Sequence, residues 1–434
     1  MVIKSSIRNL GFTPVSGEEN YVERILDLPL EGREFKELAK AADYIGVTRE
    51  FRKVIDYFKV PAGETPAGFE VELELSADRV LRANLKRNIS YDKNGRKRPT
   101  NLLFSADSAN PYEVAPVSGM LANLTCNPGI IYDLFINNPK ANVGNKFKTR
   151  DEVMEEIGRI LGPGCDISVE LNDPFKKSDA EILEEAAKFK EMLSEYRVVI
   201  KVPHTGPVSR RNVDELLTGE RRLSRRYDDV ATEDAFRGHN LALMLHEHGY
   251  RVNFTLMFEP AQTALALQAR PYFINSFIRH RLMQSQEIKK YLGIYQMTGE
   301  KKYLEELRAY MIGKDYFAAG EDEVDLFSVK EKAEILLDQR NLHNPEGADG
   351  LDGIRQNLRL LRQTNMEDTR LIICSMEGAY NYYDIDKLLS SDEYSDMAGR
   401  VVLTAEPNYL ARFSSANQVV SYQRRFMNAA NGEK

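Results

Sequence analysis

Lys201 stands in the run VVIKVPHTG, within an otherwise strongly apolar stretch. On an edge strand such a lysine would only reach past its neighbours to water. Near the C-terminal end of a strand in a closed barrel it would point inward, to the mouth where barrel enzymes carry their chemistry. Desolvation there lowers an amine's pKa, and a neutral amine adds to a carbonyl carbon to form a Schiff base. That is the entry to aldol chemistry. Other polar residues end comparable apolar runs. Asp107 closes NLLFSAD, Asn127 follows GMLANLT, Glu170 lies in DISVEL, and Ser375 closes RLIICS. Asn253 and Thr255 are two apart in RVNFTLMF and so share a face of a strand. Each has a plain alternative, such as Asp107 as a helix cap or Asn127-Pro128 as a turn. Gathered at one end of an apolar barrel, they would be costly to bury without a function or mutual pairing.

The elements that must position these residues follow from periodicity. Eight short apolar runs rich in β-branched residues appear from about residue 100. They end at Asp107, Thr125, Leu171, Pro203, Phe258, Asn275, Ser375 and Ala405. Helical patterns separate most of them. In SDAEILEEAAKFKEMLSEY, Ser178 and Glu181 can form a capping box, and ATEDAFRGHNLALMLHEHG ends on Gly249, a natural C-cap. Alternating βα units call for a parallel sheet, and eight of them for a closed (β/α)8 TIM barrel of the α/β class. A doubly wound sheet is the alternative, but no Gly-rich phosphate fingerprint follows a first strand. Residues 1–98 read as a helical extension with one strand, FEVELELS. Residues 99–434 read as the barrel, and residues 284–368 within them as an elaborated helical crossover.

Composition sets the outer limits. The chain has 434 residues, 42% hydrophobic and 29% charged, which is ordinary for a globular protein with a sizeable core. Lys+Arg number 59 against 66 Asp+Glu, a net charge of −7. Such a balance gives no general reason to bind nucleic acid or an anionic membrane. Cys126, Cys165 and Cys374 are scattered and odd in number, and each adjoins apolar sequence. They read as free buried thiols, and the absence of a C-x-x-C pair argues against a thiolate zinc site. No apolar run reaches transmembrane length and the N-terminus lacks a signal-peptide core, so a cytoplasmic protein is expected.

The motifs, in this order, resemble those of the transaldolase family. SADSAN is similar to the family's catalytic Asp motif and places Asp107. LTCNPGII resembles its T-x-N-P motif and places Asn127, and ISVEL places Glu170. VVIKVPHTG resembles the Schiff-base strand and gives Lys201. VNFTLMFEPAQTALA resembles the N-x-T-L-x-F…Q-A segment and gives Asn253 and Thr255. The resemblance implies a transaldolase that needs no cofactor and no metal. It would move a dihydroxyacetone unit from sedoheptulose 7-phosphate or fructose 6-phosphate to an aldose phosphate, as in the pentose phosphate pathway. By that resemblance Lys201 forms the imine, and Glu170 and Thr255 hold the water that shuttles protons. Asp107 deprotonates the donor's C4 hydroxyl, while Asn127 and Asn253 hold the retained hydroxyls.

The distal anion site departs from the family. In CSMEGAY, Ser375 fits the family's Ser-x-Arg, but Glu377 stands where its arginine is expected. In FINSFIRHR, Asn275 takes the usual serine position and His280 aligns with the arginine, so Arg279 or Arg281 would have to supply the charge. The departure keeps two rivals open. One is a Schiff-base aldolase of the fructose-6-phosphate aldolase type, or a transferase for another sugar. The other is a non-catalytic sugar-binding barrel. Two further signals are discounted. His246 and His248 flank Glu247 at i,i+2, which does not bring ligands to one helix face. ERRLSRRYDD interleaves acids with its arginines and reads as a salt-bridged surface. VVSYQRRFMNAA reads as a terminal helix that, by the resemblance, covers the barrel mouth. A homodimer is left open.

Overall fold

The eight apolar runs form eight parallel strands that close on themselves in sequence order, in a computed structural model of the chain. It describes residues 5–58, 60, 62–63, 68–91, 97–162, 165–194, 196–340, 346–374 and 381–432. The barrel strands are Leu103–Asp107, Leu121–Thr125, Asp166–Glu170, Arg197–Pro203, Val252–Met257, Phe273–Phe277, Arg370–Cys374 and Val401–Ala405. Each ends within two residues of the end read from the sequence. The seventh stops at Cys374, and the expected strand-closing Ser375 lies outside the described residues. Strands are short and almost wholly buried because helices cover the outer face while the lumen fills with side chains.

Local sequence explains the helices. Asp179–Met192 opens with the expected capping box, Ser178 accepting from the Glu181 amide and Glu181 from that of Ser178. Arg150–Leu161 has the same device in Thr149 and Glu152. The helix Arg237–Glu247 runs into Gly249 at φ 79°, a backbone setting that L side chains avoid. Among the described residues the crossover after the sixth strand has four helices: His280–Thr298, Lys302–Ile312, Leu326–Gln339 and Asp352–Arg362. The first three share a core of their own, in which Ile288, Leu307, Met311, Val329 and Ala333 are buried. This crossover is therefore a packed helical unit.

The N-terminal region is richer in sheet than its sequence suggests. A four-stranded sheet combines Thr13–Pro14, Tyr44–Val47, Val80–Arg87 and Phe69–Leu75, flanked by helices Gly32–Ala41 and Arg49–Tyr57. Tyr44–Val47 is a strand in an extension where only FEVELELS was expected to be one. Val80–Arg87 escaped notice because only Leu81, Ala83 and Leu85 alternate cleanly, between charged neighbours. A turn with Arg79 at φ 63° joins it to Phe69–Leu75.

This unit closes the N-terminal floor of the barrel. Ile89 is wholly buried and packs among the lumen residues Leu103, Ala122, Val199, Phe273 and Val402. Asp166, the first residue of the third strand, takes Arg87 Nη2 at 2.7 Å and Arg197 Nε at 2.6 Å. The two guanidinium groups outweigh the burial of Asp166 and hold its carboxyl below the usual range. The cavity that holds Lys201 lies at the opposite end.

Candidate active site

At the C-terminal ends of the strands lies a cavity of about 620 Å³. Asp107, Asn127, Lys201, Asn275, Cys374 and Thr404 line it, drawn from six of the eight strand ends. Strand register explains the grouping. Lys201 lies opposite Glu170 on the third strand and Asn253 on the fifth. Lys201 Nζ is 3.1 Å from Glu170 Oε2 and donates to the Cys126 carbonyl at 3.4 Å. Only 3% of Lys201 and 9% of Glu170 is exposed.

The sequence reading expected burial to lower the lysine's pKa, and the net shift is the other way. Desolvation pulls it down, but the Glu170 and Asp107 carboxylates together outweigh that and raise it above the ordinary value. In the resting site Lys201 is an ammonium ion, and a carboxylate stands ready to take its proton. Asp107 is shifted upward as well. Burial pushes its carboxyl up to about 6, against the pull of Lys201 and with help from Glu406 and Glu170. A carboxylate of that strength is a serviceable base near neutral pH.

Several buried polar atoms on the barrel strands have no protein partner. Among the described residues, Thr125 Oγ1, Thr255 Oγ1, Thr404 Oγ1, Asn275 Nδ2 and both amide atoms of Asn253 are buried and unpaired. Such atoms each cost roughly 1–3 kcal/mol unless water or a ligand satisfies them. Asn127 Oδ1 accepts the Ile130 amide at 2.9 Å, and Asn275 Oδ1 accepts from Cys374 Sγ at 2.8 Å. Thr255 and Asn253 stand on the strand next to Lys201 and are not among the residues lining the cavity. An irregularity in strand pairing lies beside the cavity. The fifth strand shifts register between Phe254 and Met257, and Leu256 takes φ 61° and lines the cavity. Bulges of this kind re-aim side chains beside active sites.

The two expected phosphate-binding arginines are placed elsewhere. Arg279 is paired with Asp384 and donates to the Asp349 carbonyl, and Arg281 is paired with Glu259 at 2.7 Å and Asp352 at 3.2 Å. Neither lines the cavity with Lys201, and both border a separate shallow cleft. His280 packs against Phe258, ring centroids 5.0 Å apart, and Phe258 stacks on Phe277 at 4.7 Å. An aromatic wall thus occupies the side where an arginine was sought. Ser375 and Glu377 lie outside the described residues.

Sequence reasoning missed several contributors. Glu406 lines the cavity from just after the eighth strand and Glu113 from the short helix Pro111–Val114 that follows the first, where no apolar run flags them. A buried polar layer of Ser105, Asn123 and Ser168, joined by hydrogen bonds of 2.9 and 3.0 Å, links the first three strands. Arg150 donates to the Glu170 carbonyl at 3.4 Å and pairs with the buried Glu185 at 2.9 Å, which steadies the third strand's end. The discounted signals have structural employment. His248 bonds the Met244 carbonyl, and Arg222 of ERRLSRRYDD binds Asp322 and two carbonyls of the crossover. The terminal helix Asn417–Ala430 buries none of its residues, so it does not cap the barrel as the resemblance suggested.

No helix among the described residues is long and apolar enough to cross a membrane. No curated protein matches the chain. Residues 104–310, from the first barrel strand into the helical crossover, match the family model described as transaldolase/fructose-6-phosphate aldolase, which bears out the resemblance to the transaldolase family.

Proposed function

We propose that the protein is a Schiff-base enzyme of transaldolase type. It cleaves a ketose between C3 and C4 and passes the retained three-carbon unit to an aldehyde acceptor. The observation that carries this is the buried Lys201 with its Nζ 3.1 Å from Glu170 Oε2, at a cavity that also holds Asp107.

The site's residues can support each step. Glu170 takes the proton from Lys201, and the freed amine adds to the ketone carbon to give a carbinolamine. Returning that proton to the carbinolamine hydroxyl expels water and leaves an iminium ion. Thr255 would hold the water involved, a role its unpaired buried hydroxyl on the strand beside Lys201 supports. Asp107 then removes the C4 hydroxyl proton. The C3–C4 electron pair moves into the iminium to form an enamine, and an aldehyde departs. Addition of the enamine to an acceptor and hydrolysis of the new imine complete a transfer. Hydrolysis without an acceptor releases dihydroxyacetone, the aldolase outcome. Asn127, Asn253 and Asn275 offer amide groups to the hydroxyls of the retained unit.

The family's description, which names fructose 6-phosphate, makes sugar phosphates the first substrates to test. The test is turnover of a ketose panel, with and without aldehyde acceptors. Aldehyde release or transfer that is abolished by borohydride with substrate, and by Lys201→Met, supports the reading. Ligand binding without turnover in the wild type would support the sugar-binding barrel instead.

A further inference from the structure

The mouth of the cavity is acidic and aromatic where a phosphate clamp would be basic. Among the described residues that line it, Asp107, Glu113 and Glu406 carry negative charge and Lys201 alone is cationic. Lys201 is already matched to Glu170 and is consumed by imine formation. The two nearest arginines in sequence, Arg279 and Arg281, are each bound to carboxylates outside the cavity.

The same surfaces suit a neutral polyhydroxy chain. The stacked rings of Phe258 and Phe277 give a flat apolar face for C–H groups. The Glu406 carboxylate faces the cavity and accepts no hydrogen bond from a described residue. Carboxylates are strong acceptors for hydroxyl donors. Asn275 and Thr404 are each 1% exposed, line the cavity, and keep one polar atom unpaired. A phosphate dianion would face Glu406 without a counter-charge, whereas a hydroxyl would find an acceptor there.

We infer that this site takes unphosphorylated ketoses and aldehydes, with Glu406 and the Phe258–Phe277 wall standing in place of a phosphate clamp. The inference rests on the Schiff-base reading and narrows its substrate class.

The experiment uses the full chain with dihydroxyacetone as donor. Borohydride trapping of dihydroxyacetone and of phosphorylated ketoses first reports the imine. Aldol addition is then measured with glyceraldehyde and with glyceraldehyde 3-phosphate as competing acceptors. The expected result is a dihydroxyacetone adduct and a kcat/KM at least about tenfold higher for glyceraldehyde. Glu406→Gln, with its melting temperature checked against wild type, is expected to shrink that preference about tenfold by removing the charge that repels phosphate. An adduct together with preference for the phosphorylated acceptor overturns this inference and leaves the Schiff-base reading intact. So does a preference that Glu406→Gln leaves unchanged. No adduct with dihydroxyacetone or any phosphorylated ketose overturns both.

Discussion

Replacing Glu170 by Gln should make Lys201 easier to alkylate and the enzyme slower, two effects of opposite sign from one change. Both side chains are buried and their charged atoms are 3.1 Å apart. At an effective dielectric near 20 the attraction is about 5 kcal/mol. Even at half that value after relaxation, its loss lowers the lysine's protonation midpoint by roughly two pH units, at about 1.4 kcal/mol per unit. Burial pulls in the same direction, leaving Asp107 as the main opposing charge. The assay is the pH dependence of cyanoborohydride-trapped alkylation of Lys201 by dihydroxyacetone, followed by mass. The variant's midpoint should move down by that margin. Its turnover should fall by about 10²–10⁴, the usual worth of a general acid–base group. An unchanged midpoint, or a wild-type lysine already neutral at pH 7, would refute the electrostatic account of the resting site.

Asp107, with its carboxyl raised to about 6, should give wild-type activity an acidic limb near that pH. A raised carboxyl costs stability where it must ionise, so Asp107→Asn should abolish cleavage yet stabilise the fold at pH 8. The gain is at most about 3 kcal/mol and should vanish near pH 4, as denaturant titration at the two pH values would show. Thr255→Val removes a hydroxyl that binds no described residue. Stability should change by less than about 1 kcal/mol while turnover falls more than tenfold, and equal losses in both would assign Thr255 to packing alone. Asp166→Asn strips the buried Arg87 and Arg197 of their counter-charge. Denaturant melts should show a loss of roughly 3–5 kcal/mol, with the N-terminal unit released first in hydrogen exchange. A variant as stable as wild type would remove Asp166 from the docking argument.

The barrel was legible because its strands are buried on both faces and so appear as unbroken apolar runs. Lys201 was legible for the same reason, as a charge inside such a run. Glu406 and Glu113 were not, since an acid outside the apolar runs looks the same whether it faces a cavity or solvent. The direction of the Lys201 shift was also hidden. Burial can be guessed from a strand, but the opposing field depends on Glu170 and Asp107 converging from strands distant in sequence. The arginine positions failed for a related reason. Arg279 and Arg281 have suitable chemistry, but Asp384, Asp349 and Asp352, contributed by later segments, draw them away. The strand Val80–Arg87 was obscured by charged residues that the floor of the barrel recruits, Arg87 above all.

The most direct test of the account is peptide mapping after borohydride reduction with a ketose the enzyme turns over. The account predicts a single modified lysine, Lys201, carrying a reduced three-carbon unit, and no modification in Lys201→Met. A three-carbon adduct on a different lysine, or turnover that survives in Lys201→Met, would contradict it.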